Sequence, residues 1–222
     1  QILPREYTVT TNTDSKVYDG TALTAGGTVN NLVDGETVGF TMTGSQTDVG
    51  ISDNTYELNW TGTARKVNYK HGKDSIGTLT VTKQSIAPDP EHSETYKEVT
   101  ITSPKDEVYD GKEHKWIPTV TDKADKKLKA GTDYIVEYST SDFTNVGTIE
   151  VVIKGKGNYT GTVTRTYKIT PKSVTVTAND KTKVFGETDP ELTATVDGTL
   201  GNDTVDYTLS RKTGEAVGKY EI

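Results

Sequence analysis

The residues that could do chemistry are few and scattered. His71, His92 and His114 lie 21 and 22 positions apart, a spacing that matches no metal-ligand pattern, and His71 and His92 read as solvated side chains of a basic insertion and a linker. There is no cysteine, which removes thiolate nucleophiles, thiolate metal sites and disulfide frameworks. No Gly-x-Ser-x-Gly elbow, Walker loop or dinucleotide fingerprint occurs. Gly155-Lys156-Gly157-Asn158 is glycine-rich, but it sits between strand patterns with no helix to follow, so it reads as a hairpin rather than a phosphate cradle. Carboxylates are plentiful, and two in a cleft could hydrolyse a glycoside; Asp122, Asp125 and Glu137 nevertheless read as solvated charges. These residues predict no enzyme, no cofactor and no metal. Asp-rich turns at module junctions leave calcium open, although no EF-hand loop appears.

One segment could bind rather than catalyse. Trp60 to Lys73 is basic and aromatic within an acidic protein, and the interval from Gly50 to Asn68 is longer than its counterpart from Gly147 to Asn158. Trp60, Arg65, Lys66, Tyr69 and Lys70 could stack on a sugar or meet an acidic partner. The competing and favoured reading packs Trp60 in a core and leaves the lysines in a solvated loop; Trp116 also reads as core. Asn158-Tyr159-Thr160 satisfies a glycosylation sequon.

The elements that would position these residues are strands. The chain has 222 residues, 31% of them hydrophobic, a formal charge of −7, 41 threonines and 12 tyrosines. Threonine and tyrosine suit pleated, half-exposed sheets. The low apolar fraction fits several thin cores better than one large one. Period-two alternation recurs in Tyr7-Thr8-Val9-Thr10, Val99-Thr100-Ile101-Thr102, Gly77 to Thr82, Thr166 to Thr170 and Val174-Thr175-Val176-Thr177, with turn residues between, which predicts antiparallel strands in a sandwich or barrel. Thr121 to Ala130, the one helix-compatible stretch, reads as a charged, solvated hairpin or loop rather than a helix. No apolar run is long enough to span a bilayer, and the negative charge opposes nucleic acid.

Three copies of one pattern can be aligned. Their aromatic turns are Tyr18-Asp19-Gly20, Tyr109-Asp110-Gly111 and Phe185-Gly186-Glu187, and each is followed by a Val-Gly pair ending at Gly50, Gly147 and Gly218. The ring of Tyr18, Tyr109 or Phe185 is expected in the core, Asp-Gly in a tight reversal, and Val-Gly at a bulge or close backbone approach. Copies one and two continue with Asn68-Tyr69 and Asn158-Tyr159 and a closing strand. The chain opens at Gln1 without methionine and stops inside a strand-like pattern, so it is expected to be a piece of something longer, with copy three lacking about two strands.

These motifs resemble the YDG-type MBG domain in copies one and two. Copy three, with Phe185-Gly186-Glu187 and Asp189-Pro190-Glu191, resembles the YGX type. The resemblance implies tandem Ig-like, all-β modules of a bacterial cell-surface or cell-wall protein, outside the cell. The expected division is residues 1–84 as a first module, 85–95 as a Pro/acidic linker, 96–170 as a second module and 171–222 as an incomplete third. The function expected is a stalk or spacer projecting an adhesive or catalytic head. The alternatives are a module that binds a host glycoprotein or polysaccharide, and an accessory region of a carbohydrate enzyme. The fragment is expected to be monomeric, without nucleic acid or membrane insertion. A β-grasp-like module is the alternative topology, disfavoured by the lack of an amphipathic helix pattern.

Overall fold

Alternation sets the strands, and burial follows it. In Arg5–Thr11 (β1) the side chains of Tyr7, Val9 and Thr11 are buried while Thr8 and Thr10 face outward; in Gly147–Gly155 (β14) Ile149, Val151 and Ile153 are buried in the same way. The computed structural model describes residues 1–88, 99–122 and 124–222. His92 and most of the Pro/acidic linker lie outside the described residues.

The remaining strands, in chain order, begin with Asp14–Val17 (β2), Gly27–Asn30 (β3), Gly39–Met42 (β4), Gly50–Asp53 (β5) and Tyr56–Asn59 (β6). A single 3-10 turn at Lys66–Asn68 precedes Tyr69–His71 (β7), Thr78–Thr82 (β8) and Gln84–Ser85 (β9). Val99–Ile101 (β10), Glu107–Val108 (β11), Val120–Asp122 (β12) and Tyr134–Tyr138 (β13) lead into β14, and Tyr159–Thr160 (β15), Thr162–Thr170 (β16), Thr175–Ala178 (β17) and Ala194–Asp197 (β18) follow it. The described residues contain no α-helix, so the protein is all-β and gives a β-grasp no helix to wrap. The described residues of Thr121 to Ala130 begin in β12 and fold back as a hairpin, with Thr121 bridged antiparallel to Lys127; Asp122 accepts hydrogen bonds from the amides of Ala124 and Lys126, each at 2.9 Å.

The chain divides into two compact units. The first holds Gln1–Thr102, Pro118–Glu137 and Val151–Thr164; the second holds Ser103–Ile117, Tyr138–Glu150 and Arg165–Ile222. In the first, β3-β1-β7 and β2-β8-β5 form three-stranded sheets, and β4-β6, β10-β12 and β9-β15 form pairs. One cluster gathers Tyr7, Val9, Ala64 and Tyr69 under Phe40, Tyr56 and Trp60. Another joins Leu23, Leu79 and Val81, with Tyr18 and Val49 packed on it. In the second unit β11 pairs with β16 and β17 with β18.

The expectation of purely antiparallel pairing is corrected. β1 runs parallel to β7, β2 to β8, β9 to β15 and β11 to β16. Alternation reports which face of a strand is buried and carries no direction. Partners as distant in sequence as Arg5 and Tyr69 are joined by enough chain to pair either way, unlike the two arms of a hairpin.

Candidate functional site

The segment that could bind, from Trp60 to Lys73, separates into an aromatic interior and a basic exterior. Tyr69 opens β7 beside Arg5 of β1, which turns its ring inward. Its hydroxyl donates to Glu36 and accepts from the Val33 amide at 2.8 Å, and burial, then Glu36, raises its pKa. Trp60 is half-buried and packs edge-on to Tyr7, with ring centres 5.4 Å apart, and against Tyr69 at 5.5 Å. Arg65, Lys66 and Lys70 are exposed on the 3-10 turn and β7. The aromatic faces and the cations are therefore segregated, because β7 alternates Tyr69 inward and Lys70 outward.

His71 has a structural place. Its ring stacks on Tyr7 at 4.8 Å, and its Nε2 lies 2.8 Å from Asp74 Oδ1. The same carboxylate accepts the Val9 amide at 2.8 Å and the Tyr56 hydroxyl at 2.5 Å. Burial works to raise the Asp74 pKa, but hydrogen bonds from Tyr56, Val9 and His71 bring it below its ordinary value. Tyr56 is pushed up to about 12, first by burial and then by its bond to Asp74. Asp74 joins two strands and an aromatic cluster, and no motif marks it in the sequence.

The Tyr-Asp-Gly elements behave as turns. Tyr18 is half-buried on the Leu79–Val81 cluster, and its amide donates to Thr82 at 2.8 Å. Asp19 accepts from the amide and hydroxyl of Thr21 and from Lys16 Nζ at 2.7 Å; these bonds, Lys16 first, hold its carboxyl far below the usual range. Gly20 takes φ +79°, which a side chain would resist. Copy two repeats the plan: the Tyr109 amide donates to Thr170 at 2.9 Å, Asp110 accepts from the Lys112 amide and lies 2.7 Å from His114, and Gly111 has φ +77°. The Val-Gly pairs hold no common close approach. A side chain at Gly50 would meet only Gln46, and around Gly147 and Gly218 there is open space.

Copy three differs. Its strands β17 and β18 form one antiparallel hairpin, and no residue beyond Ile169 belongs to the buried hydrophobic core. Phe185 is 72% exposed, which corrects its expected place in a core: a two-stranded sheet has no second layer to cover a ring. Gly186, at φ +89°, keeps the turn. Ions replace the missing apolar packing. Arg211 grips Asp189 through Nε at 2.7 Å and Nη2 at 2.9 Å, reaches Glu215 at 2.5 Å, and lies 5.4 Å from the Tyr220 ring. Lys183 bridges Asp189 and Glu215.

Residues 174–222 match the MBG domain (YGX type). No curated protein and no solved structure matches the chain. The MBG match is consistent with a repeat of a bacterial surface protein, and no helix among the described residues is long and apolar enough to cross a membrane. The YDG likeness of residues 1–170 rests on the motifs. Among the described residues, no group of three or more His, Asp or Glu side chains could hold a metal ion.

Sequence reasoning missed the way the Asn-Tyr element of copy two is used. The Asn158 side chain accepts from the Val49 amide at 3.0 Å and donates to Asp48 at 2.9 Å. Tyr159, buried, meets Tyr18 edge-on at 5.6 Å. Gln84 and Ser85 pair in parallel with Tyr159 and Thr160, and Ile86 is buried beside them. A signal existed. Gln84-Ser85-Ile86 follows the closing strand at the same distance as Lys172-Ser173-Val174, the last of which is the first residue of the MBG match. Gln84-Ser85-Ile86 thus repeats the start of a copy, with Gln84 paired to Tyr159 as Arg5 is paired to Tyr69.

Proposed function

We propose that the chain is a non-catalytic tract of repeats from a bacterial cell-surface protein, a spacer that holds a functional head away from the envelope and carries tension. One observation supports the mechanical part of this reading: in each of the first two copies, an early strand pairs in parallel with the closing strand. Asp14 to Val17 pair with Leu79 to Thr82, and Glu107 and Val108 with Ile169 and Thr170. Force applied to the two ends of a copy pulls such strands past each other along their length. All the ladder bonds are then loaded together, whereas an antiparallel hairpin pulled from its two open ends gives way one bond at a time. The amides of Tyr18 and Tyr109 extend these ladders to Thr82 and Thr170. The adjoining turns, locked by Asp19 and Asp110, keep the chain from peeling away.

Single-molecule pulling from Gln1 and Ile222 tests this. Two high-force events are expected, each releasing on the order of 25 nm of chain at about 3.5 Å per residue, with residues 171–222 yielding first at low force. Copies one and two yielding at the same low force as that hairpin would overturn the mechanical reading.

A further inference from the structure

Two contacts made in the first unit have open counterparts in the second. The start of each of the first two copies pairs in parallel with that copy's own Asn-Tyr element, Arg5 with Tyr69 and Gln84 with Tyr159. In copy two the amides of Gln84 and Ile86 donate to the carbonyls of Asn158 and Thr160 at 3.0 and 2.8 Å. Copy three starts in the same way with Lys172-Ser173-Val174 but contains no Asn-Tyr pair. Among the described residues no strand pairs with Lys172 and Ser173, and the Lys172 and Val174 amides have no acceptor. The second contact is the one that copy two's Asn-Tyr makes with copy one: Tyr159 stands edge-on to Tyr18 at 5.6 Å, and Asn158 accepts the Val49 amide. The counterparts of Tyr18 and Val49 are Tyr109 and Val146. Val146 is 52% exposed where Val49 is half-buried, and among the described residues its amide has no acceptor. Both sets of open groups meet in one place: Tyr109, Val146, Lys172, Val174, Leu200 and Val205 border a solvent-open cleft of about 330 Å³ within the second unit. The corresponding cleft of the first unit, bordered by Tyr18 and Gln84 with Tyr159 already seated, measures about 190 Å³.

We infer that the larger cleft docks an extended peptide strand carrying Asn-Tyr-Thr, laid parallel to Lys172 and Ser173. The carbonyls of its asparagine and threonine take the Lys172 and Val174 amides, and its tyrosine ring packs on Tyr109, Val174 and Leu200. Its asparagine side chain accepts from the Val146 amide and donates to Asn145, whose side-chain oxygen stands where Asp48 receives Asn158. The main-chain ladder supplies affinity and the ring's cleft supplies specificity, as in other strand additions to an open edge. A free aromatic molecule would fill the cleft but leave the three amides unmatched. Both Asn-Tyr pairs of this chain are already committed, since Tyr69 and Tyr159 are buried in their own copies, so a second folded copy has none to offer and the strand is a separate peptide partner. The inference does not depend on the spacer reading: a chain that resists force but ignores the peptide, or binds it but yields at low force, separates the two.

The test is NMR titration of the whole chain with the capped peptide Gly-Asn-Tyr-Thr-Gly-Thr-Val-Thr, the sequence of residues 157–164. Saturable shifts of the Val146, Lys172 and Val174 amides are expected, with a dissociation constant on the order of 1 mM for so short a strand. A peptide with alanine for its tyrosine should bind about tenfold more weakly. On the protein, Val146→Lys and Val174→Lys change exposed side chains outside the buried core, so the fold is retained while binding falls by about tenfold; Lys66→Ala should leave it unchanged. No saturation by about 10 mM peptide, equal binding of a scrambled peptide, or equal binding of N-acetyltyrosinamide would each overturn the assignment. So would the same shifts appearing on raising the protein concentration alone, which would make a second copy of the chain the occupant.

Discussion

Replacing Asp74 by alanine removes a single carboxylate that three groups share, so its cost can be worked out before measurement. The Val9 amide is the decisive loss: Val9 is fully buried, and Asp74 Oδ1 is its partner at 2.8 Å. An unsatisfied buried donor costs roughly 1–3 kcal/mol. The Tyr56 hydroxyl gives up a charge-assisted bond at 2.5 Å, but Tyr56 is only half-buried and water replaces part of that bond, leaving about 1 kcal/mol. His71 is exposed enough that its pairing adds little. The sum is about 3 kcal/mol, a large share of the 5–15 kcal/mol that holds an ordinary domain together. With a urea dependence of about 1 kcal/mol per molar for a unit this small, the midpoint should fall by about 2–3 M. Trp60 stands on the same aromatic cluster, and its fluorescence in a Trp116→Phe background follows the transition. Asp74→Asn, which retains an acceptor for Val9, should recover about half. Since the Asp74 pKa is lowered in the folded state, its contribution is present above the ordinary carboxylate range and fades as pH falls through the folded value. The gap between wild type and Asp74→Ala should therefore narrow in acid. A loss below about 0.5 kcal/mol at neutral pH, typical of an unremarkable surface change, would refute the claim that Asp74 organises this cluster.

Two other predictions concern regions with different physics. Asn158→Ala removes two hydrogen bonds, to Val49 and Asp48, each worth about 1 kcal/mol; the Val49 and Gln84 amides should exchange about tenfold faster, and unchanged exchange would show that Asn158 is incidental. In residues 171–222, hydrogen bonds from Arg211 and then Lys183 hold Asp189 at about 2. A depressed carboxylate stabilises above its unfolded value and loses that contribution as protons return, so NMR signals of this segment should collapse between about pH 4 and 2, while those of β14 persist; Arg211→Gln should abolish the difference, and an identical acid profile would exclude the ion cluster as the cause.

The sequence by itself determined the class of fold and the local turns. Threonine-rich alternation places Tyr7 and Val9 on one face whatever the partner strand is, and Asp-Gly after Tyr18 or Tyr109 closes a turn through contacts only two to five residues long. The MBG character of residues 174–222 was legible for the same reason, since Phe185-Gly186-Glu187 and the following Asp189 are a local pattern. Tertiary structure decided what depended on distant partners. Alternation has no direction, so the parallel pairing of β2 with β8 could not be read from either strand. Tyr69 and Lys70 are neighbours in a basic, aromatic stretch, yet pairing with β1 sends one into the core and the other to solvent. Phe185 has the right type for a core but no second sheet over it. Gln84 carries no motif at all. Its burial comes from the ladder to Tyr159, a contact spanning so much chain that no local pattern records it.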